Sequence, residues 1–204
     1  MLERTQVFFA CEMRAKKDDT HGTYITGKPI VFDSRTDLGY FDEIIDRGAL
    51  DKTDLRDVKF LVNHNTDMIP LARSRNNNKN STMQLMPTDD GMDIRVNLDV
   101  ENNADARALY SAIERGDISG MSFMFGIDGE EWEELESDHP TRHITSISKV
   151  FEVSAVTFPA YESTEISARC KTTLDNVRSA LDNAKHNDDN IELLKLKNKI
   201  LGGF

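Results

Sequence analysis

The chain has two cysteines, one tryptophan and five prolines, and no apolar run of bilayer length. Cys11 and Cys170 stand far apart, so they support neither a disulfide framework nor a paired-cysteine zinc site. Both read as free thiols of a reducing compartment. Basic residues are outnumbered: 25 Lys and Arg face 36 Asp and Glu, for a formal charge of -11. That balance argues against a general nucleic-acid binder, which needs a basic surface to displace counterions. The opening stretch, MLERTQVFFACEMRAKKDD, is mixed in charge and lacks the apolar centre of a signal peptide. A bilayer span needs roughly 20 apolar residues, and no segment approaches that. The expectation is a soluble, intracellular chain with neither a nucleic-acid nor a membrane partner.

What is present is enough for one folded domain and an appendage, since 204 residues can bury a sizeable core. The first hundred residues read mainly as strands. Gln6 to Cys11 is short and apolar. Tyr24 to Phe32 is a strand broken by Gly27 and Pro29, which suggests a bulge. Phe41 to Leu50 reads as a short helical or turn segment. Val58 to Val62 is a buried strand running straight into Asn63-His64-Asn65, and Ser74 to Ser81 is an Asn-rich loop. From Thr82 to Val100, apolar and polar residues alternate about an Asp89-Asp90-Gly91 turn, which predicts a hairpin.

Asn103 to Arg115 predicts a helix, with Asn102 or Asn103 as cap, an Ala106, Leu109, Tyr110 and Ile113 stripe, and Gly116 as the left-handed stop. Ile118 to Ile127 is a glycine-punctuated strand. Asp128 to Asp138 carries seven acids in eleven positions and reads as an exposed loop or hairpin tip. His143 to Phe158 is a long β-rich run closed by Pro159-Ala160-Tyr161. Cys170 to Leu201 has no glycine, proline, Phe, Trp or Tyr, and its leucines fall at helical spacing on either side of Asn187-Asp188-Asp189-Asn190. This predicts a tail of two amphipathic helices.

Three places could carry chemistry. His64, at a strand end, has the titration range of a general base, although a lone loop histidine is commoner. Ser122, in Gly120-Met121-Ser122-Phe123, is a hydroxyl in an apolar run. It is either a nucleophile beside a base or a strand serine bonded to backbone. Glu152 interrupts an apolar strand and needs a partner. By alternation it shares a face with Ser154 and Val150, and it would either orient a histidine or pair with Arg142 or another arginine. His21, His139, His143 and His186 show no metal-ligand spacing, so neither a metal nor a cofactor is expected.

Taken in order, these segments resemble the prohead maturation proteases of tailed bacteriophages, a family similar in fold and chain order to the herpesvirus assembly protease. The resemblance rests on Gly48-Ala49-Leu50, Phe60-Leu61-Val62-Asn63-His64-Asn65, Pro70-Leu71-Ala72, Asp90-Gly91-Met92, Arg115-Gly116, Ile118-Ser119-Gly120-Met121-Ser122-Phe123, Arg142-His143-Ile144 and Glu152 to Tyr161. It departs from the family pattern at Ala72, Met124 and Asn65. It implies a mainly β fold with peripheral helices (α+β). A herpesvirus-protease-like β-barrel would span residues 1–168, followed by a helical extension over 169–204, removed by self-cleavage or used for coat binding or for self-association into a homo-oligomer.

By the resemblance, His64 is the catalytic base, Ser122 the nucleophile and Glu152 the third member, with His143 the second candidate for that place because the herpesvirus relatives use a histidine there. Backbone amides near Ser122 or Arg142 are the oxyanion candidates. The implied activity is a serine endopeptidase that needs no cofactor and cuts the scaffold segment of the phage major capsid protein, and itself, within the prohead in the host bacterial cytoplasm. Rival expectations are a catalytically inactive capsid-assembly protein of the same fold and a small-ligand β-barrel.

Overall fold

The computed structural model describes residues 4–9, 13–18, 22–157 and 171–185. Among these residues eleven strands form two sheets. The smaller has four strands in the order β2 (Arg14–Asp18), β3 (Gly22–Val31), β9 (Gly91–Asn97) and β8 (Met83–Thr88). The larger has seven. Its path runs β1 (Arg4–Phe9), β10 (Gly120–Glu133), β11 (Thr141–Val156), β5 (Asp42–Ile45) and β4 (Arg35–Asp37), while β6 (Asp57–Val62) pairs with β11 and with β7 (Ala72–Arg75). Among the described residues neither sheet closes into a barrel. The expectation of mainly β structure with peripheral helices holds, whereas the barrel does not. Among the described residues β1, β4 and β7 are the open edges of one sheet and β2 and β8 those of the other, and no strand pair joins the two.

The β8–β9 hairpin forms about the Asp89-Asp90-Gly91 turn as the alternation predicts. Gly91 is required there: its φ is 150°, and a Cβ would lie 2.0 Å from the Ile30 carbonyl oxygen. The expected bulge in β3 appears as a register shift between Gly27 and Ile30. Helix α1 (Ala104–Arg115) starts where Asn103 Oδ1 accepts from the Asp105 and Ala106 amides, and it ends at Gly116 with φ 81°.

Two expectations change. Phe41 to Leu50 is partly strand, because Asp42–Ile45 runs parallel to Thr141–Ile144 and the β-branched pair Ile44-Ile45 suits that position. The acidic segment is also partly strand. β10 continues to Glu133, with half-buried Glu130 and Trp132 alternating with exposed Glu131 and Glu133. Charged β2 was not foreseen as a strand.

The sheets enclose one apolar core. Ile25, Ile94 and Val96 from one sheet meet Phe60, Phe123, Phe125 and Val153 from the other, with Ala106, Leu109 and Ile113 of α1 closing it. Phe123 and Phe125 stack at 4.8 Å. The β10–β11 ribbon carries four register shifts, which bend it. Helix α2, residues 171–185, packs on this body through Leu174, in an apolar cluster with Leu38, Phe41, Val156, Trp132 and Leu135. Arg178 Nε donates to the Leu135 carbonyl at 3.0 Å. Both cysteines, Pro159-Ala160-Tyr161 and the second tail helix fall outside the described residues.

Candidate active site

The site lies on the face of the large sheet turned away from that core, where β10, β11 and β6 are neighbours. Ser122 is the cross-strand partner of Ser154, and Ser154 in turn of Leu61. Residues in register share a face, as do residues two apart, so Ser122, Ser154, Glu152, Leu61 and Met124 project together. Ser122 and Ser154 are fully buried, and Glu152 nearly so.

His64 reaches this face through a turn. After β6 the chain enters the left-handed region at two successive residues, Asn63 (φ 51°) and His64 (φ 55°). Such conformations cost on the order of 1–3 kcal/mol for a non-glycine residue and persist where neighbours hold them. Here each residue of Asn63-His64-Asn65 has a part. Asn63 Oδ1 accepts from the Thr157 amide at 2.9 Å, and its Nδ2 donates to Thr157 Oγ1 at 3.1 Å. The His64 amide donates to Ser154 Oγ at 3.2 Å. The Asn65 amide donates to the Val62 carbonyl at 3.0 Å, and Asn65 Oδ1 accepts from the Asp67 amide at 3.1 Å.

The turn sets His64 Nδ1 2.5 Å from Glu152 Oε1. A carboxylate accepting from Nδ1–H leaves the lone pair on Nε2, the nitrogen facing away from the acid, which is itself buried. The other carboxylate oxygen, Oε2, accepts from Ser154 Oγ at 2.5 Å. A base oriented by an acid, with a serine on the adjacent strand of the same face, is the set of groups needed for nucleophilic acyl transfer.

Glu152 and Val150 do not share a face as alternation predicted. Met124 pairs with Glu152 but Phe125 with Val150, so Phe151 is an extra residue in β11. The bulge turns Val150 into the core. It leaves Lys149 and Phe151 beside Glu152 in a cleft of about 420 Å³, also lined by Lys59, Leu61, Met68 and Met124.

Arg142 and His143 are not brought to this cluster. Both lie near the opposite end of β11. Arg142 is flanked in the ladder by Trp132 on β10 and Glu43 on β5. Its buried guanidinium binds Glu130, with Nε donating at 2.8 Å, and lies 3.4 Å from Glu43. Burial pushes the Glu43 carboxyl up to about 7; Arg142 opposes this and Glu130 adds to it. His143 Nδ1 is 2.7 Å from Asp46, and that hydrogen bond raises its pKa against the effect of burial. Glu152 therefore has the contact expected of a third member, and His143 has a different carboxylate.

Sequence spacing offered no metal set. Among the described residues the fold gathers one candidate group, Asp37, Asp42 and His139, with possible ligand atoms within 4.8 Å of one another. Arg35 Nη1 already holds Asp42 at 2.7 Å. Burial would raise the Asp42 pKa, but hydrogen bonds from Arg35 and His139 outweigh it and the net shift is downward. Alternation places Ser154 on the face of Glu152, as found, but does not show its bonds to the Glu152 carboxylate and the His64 amide. Its signal was a second polar residue two positions from Glu152 in an otherwise apolar strand.

A family model described as caudovirus prohead serine protease matches residues 10–180. The chain belongs to this family, a class of serine peptidases of the tailed-phage prohead. No curated protein and no solved structure matches it. The expectation of a catalytically inactive assembly protein finds no support in that membership. Among the described residues no helix is long and apolar enough to cross a membrane.

Proposed function

We propose that the chain is a serine endopeptidase of prohead maturation, with Ser122 as nucleophile, His64 as general base and Glu152 as the acid that orients it. The observation that carries this is the 2.5 Å contact of His64 Nδ1 with Glu152 Oε1, on the same sheet face as Ser122. Ser122 Oγ attacks the peptide carbonyl carbon as its proton passes to His64 Nε2. Glu152 stabilises the imidazolium that results. The tetrahedral intermediate collapses when the carbon–nitrogen bond breaks and the imidazolium returns the proton to the departing amine. Water, deprotonated by the same imidazole, then hydrolyses the acyl–Ser122 ester and frees the serine.

The cleft beside Glu152 would receive the polypeptide. Its floor of Leu61, Met68, Met124 and Phe151 suits apolar side chains, and Lys59 and Lys149 stand among them. The substrate in this reading is the scaffold segment of the phage major capsid protein, with self-cleavage of the chain near its helical extension, inside the prohead in the host cytoplasm. Residues 1–168 form the protease domain and 169–204 the extension.

The test is co-expression with the matching capsid protein and mapping of new termini. Wild type is expected to cut both chains, and Ser122→Ala neither. Full processing by Ser122→Ala would overturn the proposal.

A further inference from the structure

We propose that Ser154 is a positioning residue of this site, holding the acid and the base to one another through a single hydroxyl. The inference rests on the reading of His64 and Glu152 given above. Ser154 is fully buried at the centre of the three-strand patch, between Ser122 on β10 and Leu61 on β6. Its Oγ donates its proton to Glu152 Oε2 at 2.5 Å and accepts the His64 amide proton at 3.2 Å.

Each bond fixes something otherwise loose. The terminal torsion of a glutamate is broad and lacks sharp rotamer wells. One oxygen of Glu152 faces His64 Nδ1 and the other faces Ser154, so the carboxylate plane is held at both ends. The His64 backbone is in the left-handed region, and its amide is turned inward to where Ser154 Oγ receives it. Without the hydroxyl, a buried carboxylate oxygen and the half-buried His64 amide would both lose a partner. The turn and the carboxylate would then be free to separate.

The same contacts exclude Ser154 as a rival nucleophile. Its proton is given to Glu152, and it stands on the acid's side of the imidazole, whereas an attacking hydroxyl must reach Nε2. Besides Glu152, the ionisable groups lining the cleft are Asp57 and Lys59 from β6 and Lys149 from β11, and Arg73 from β7 holds Asp57 at 2.6 Å.

The experiment uses the full-length chain and a peptide spanning a cut mapped with wild type. Ser154→Ala is expected to lower kcat about 10- to 100-fold with KM changed less than about twofold, the cost of a charge-assisted hydrogen bond acting on orientation. Ser154→Cys, close in volume but a weak donor, should fall alongside it if Ala impairs folding. Adding Ser154→Ala to Glu152→Gln should cost less than about threefold more, because residues acting as one unit are not additive.

Proton NMR gives a readout that does not depend on turnover. The deshielded His64 Nδ1 proton should persist in Ser122→Ala and be lost or move upfield in Ser154→Ala. Full kcat in Ser154→Ala, losses that multiply in the double variant, or an unmoved Nδ1 proton would each overturn the role of Ser154. If no cut distinguishes wild type from Ser122→Ala, the endopeptidase reading fails instead, and the NMR comparison still decides whether Ser154 holds the pair.

Discussion

Glu43 is a carboxylate with almost no contact with water, sharing Arg142 with Glu130. Burial raises its pKa from 4.5 to about 7. Between those values the folded chain binds a proton that the unfolded chain has released, so stability falls as pH rises through that window. The shift corresponds to at most about 3 kcal/mol. Glu43→Gln, which cannot ionise, should match wild type near pH 4.5 and exceed it by about 1–3 kcal/mol at pH 8, read from urea midpoints at the two pH values. The other informative residues were legible to different degrees. His64, Ser122 and Glu152 announce themselves as polar groups in or beside apolar strands. The partnership of Ser154 does not, because it depends on a backbone amide that only the double left-handed turn aims at the hydroxyl. Nor does sequence say that Arg142 is enclosed by carboxylates from two other strands.

At the scale of elements, local rules served where the element is local. The β8–β9 hairpin and α1 follow from a turn triplet, a cap and a periodic stripe, all within a few residues. Gly91→Ala should cost more than about 2 kcal/mol, since the added methyl meets the Ile30 carbonyl, whereas Asn103→Ala should cost about 1 kcal/mol for the lost cap. Denaturant melts of the two variants compare these costs directly. Elements defined by distant partners were harder to read. β5 is four residues long and becomes a strand only by lying along Thr141–Ile144. The end of β10 looks like a solvated acidic loop until Arg142 is seen to neutralise Glu130 and Trp132 to pack edge-on against Phe41, with ring centroids 5.0 Å apart. The bulge at Phe151 changes which neighbours Glu152 has, and no residue type in that run signals it.

For the molecule as a whole, the mainly β character and the first tail helix, over residues 171–185, were legible from composition and leucine spacing, and sheet closure was not. Closure depends on the pairing of terminal strands, which single-strand patterns do not encode. Helix α2 is docked rather than merely attached. Leu174 is buried among Leu38, Phe41 and Val156, with Trp132 packed beside them. Leu174→Asp should therefore release α2. Because Trp132 is the single tryptophan, its emission should move to longer wavelength while the sheet signal in circular dichroism persists. A loss of stability of about 1.5–3 kcal/mol is expected from the leucine's burial alone.

The parallel pairing of β6 with β11 also orders events in time. Ser122 and Glu152 belong to strands joined as one hairpin, so the proposed nucleophile and acid become neighbours through a contact between adjacent elements. His64 arrives only when Lys59–Val62 aligns with Glu152–Ala155, across roughly ninety intervening residues. Such long-range parallel pairings are slow to form. On the reading proposed above, a refolding chain thus holds two of the three groups early and lacks a complete site until His64 is delivered. On that reading the delay keeps a half-folded chain from cutting its neighbours.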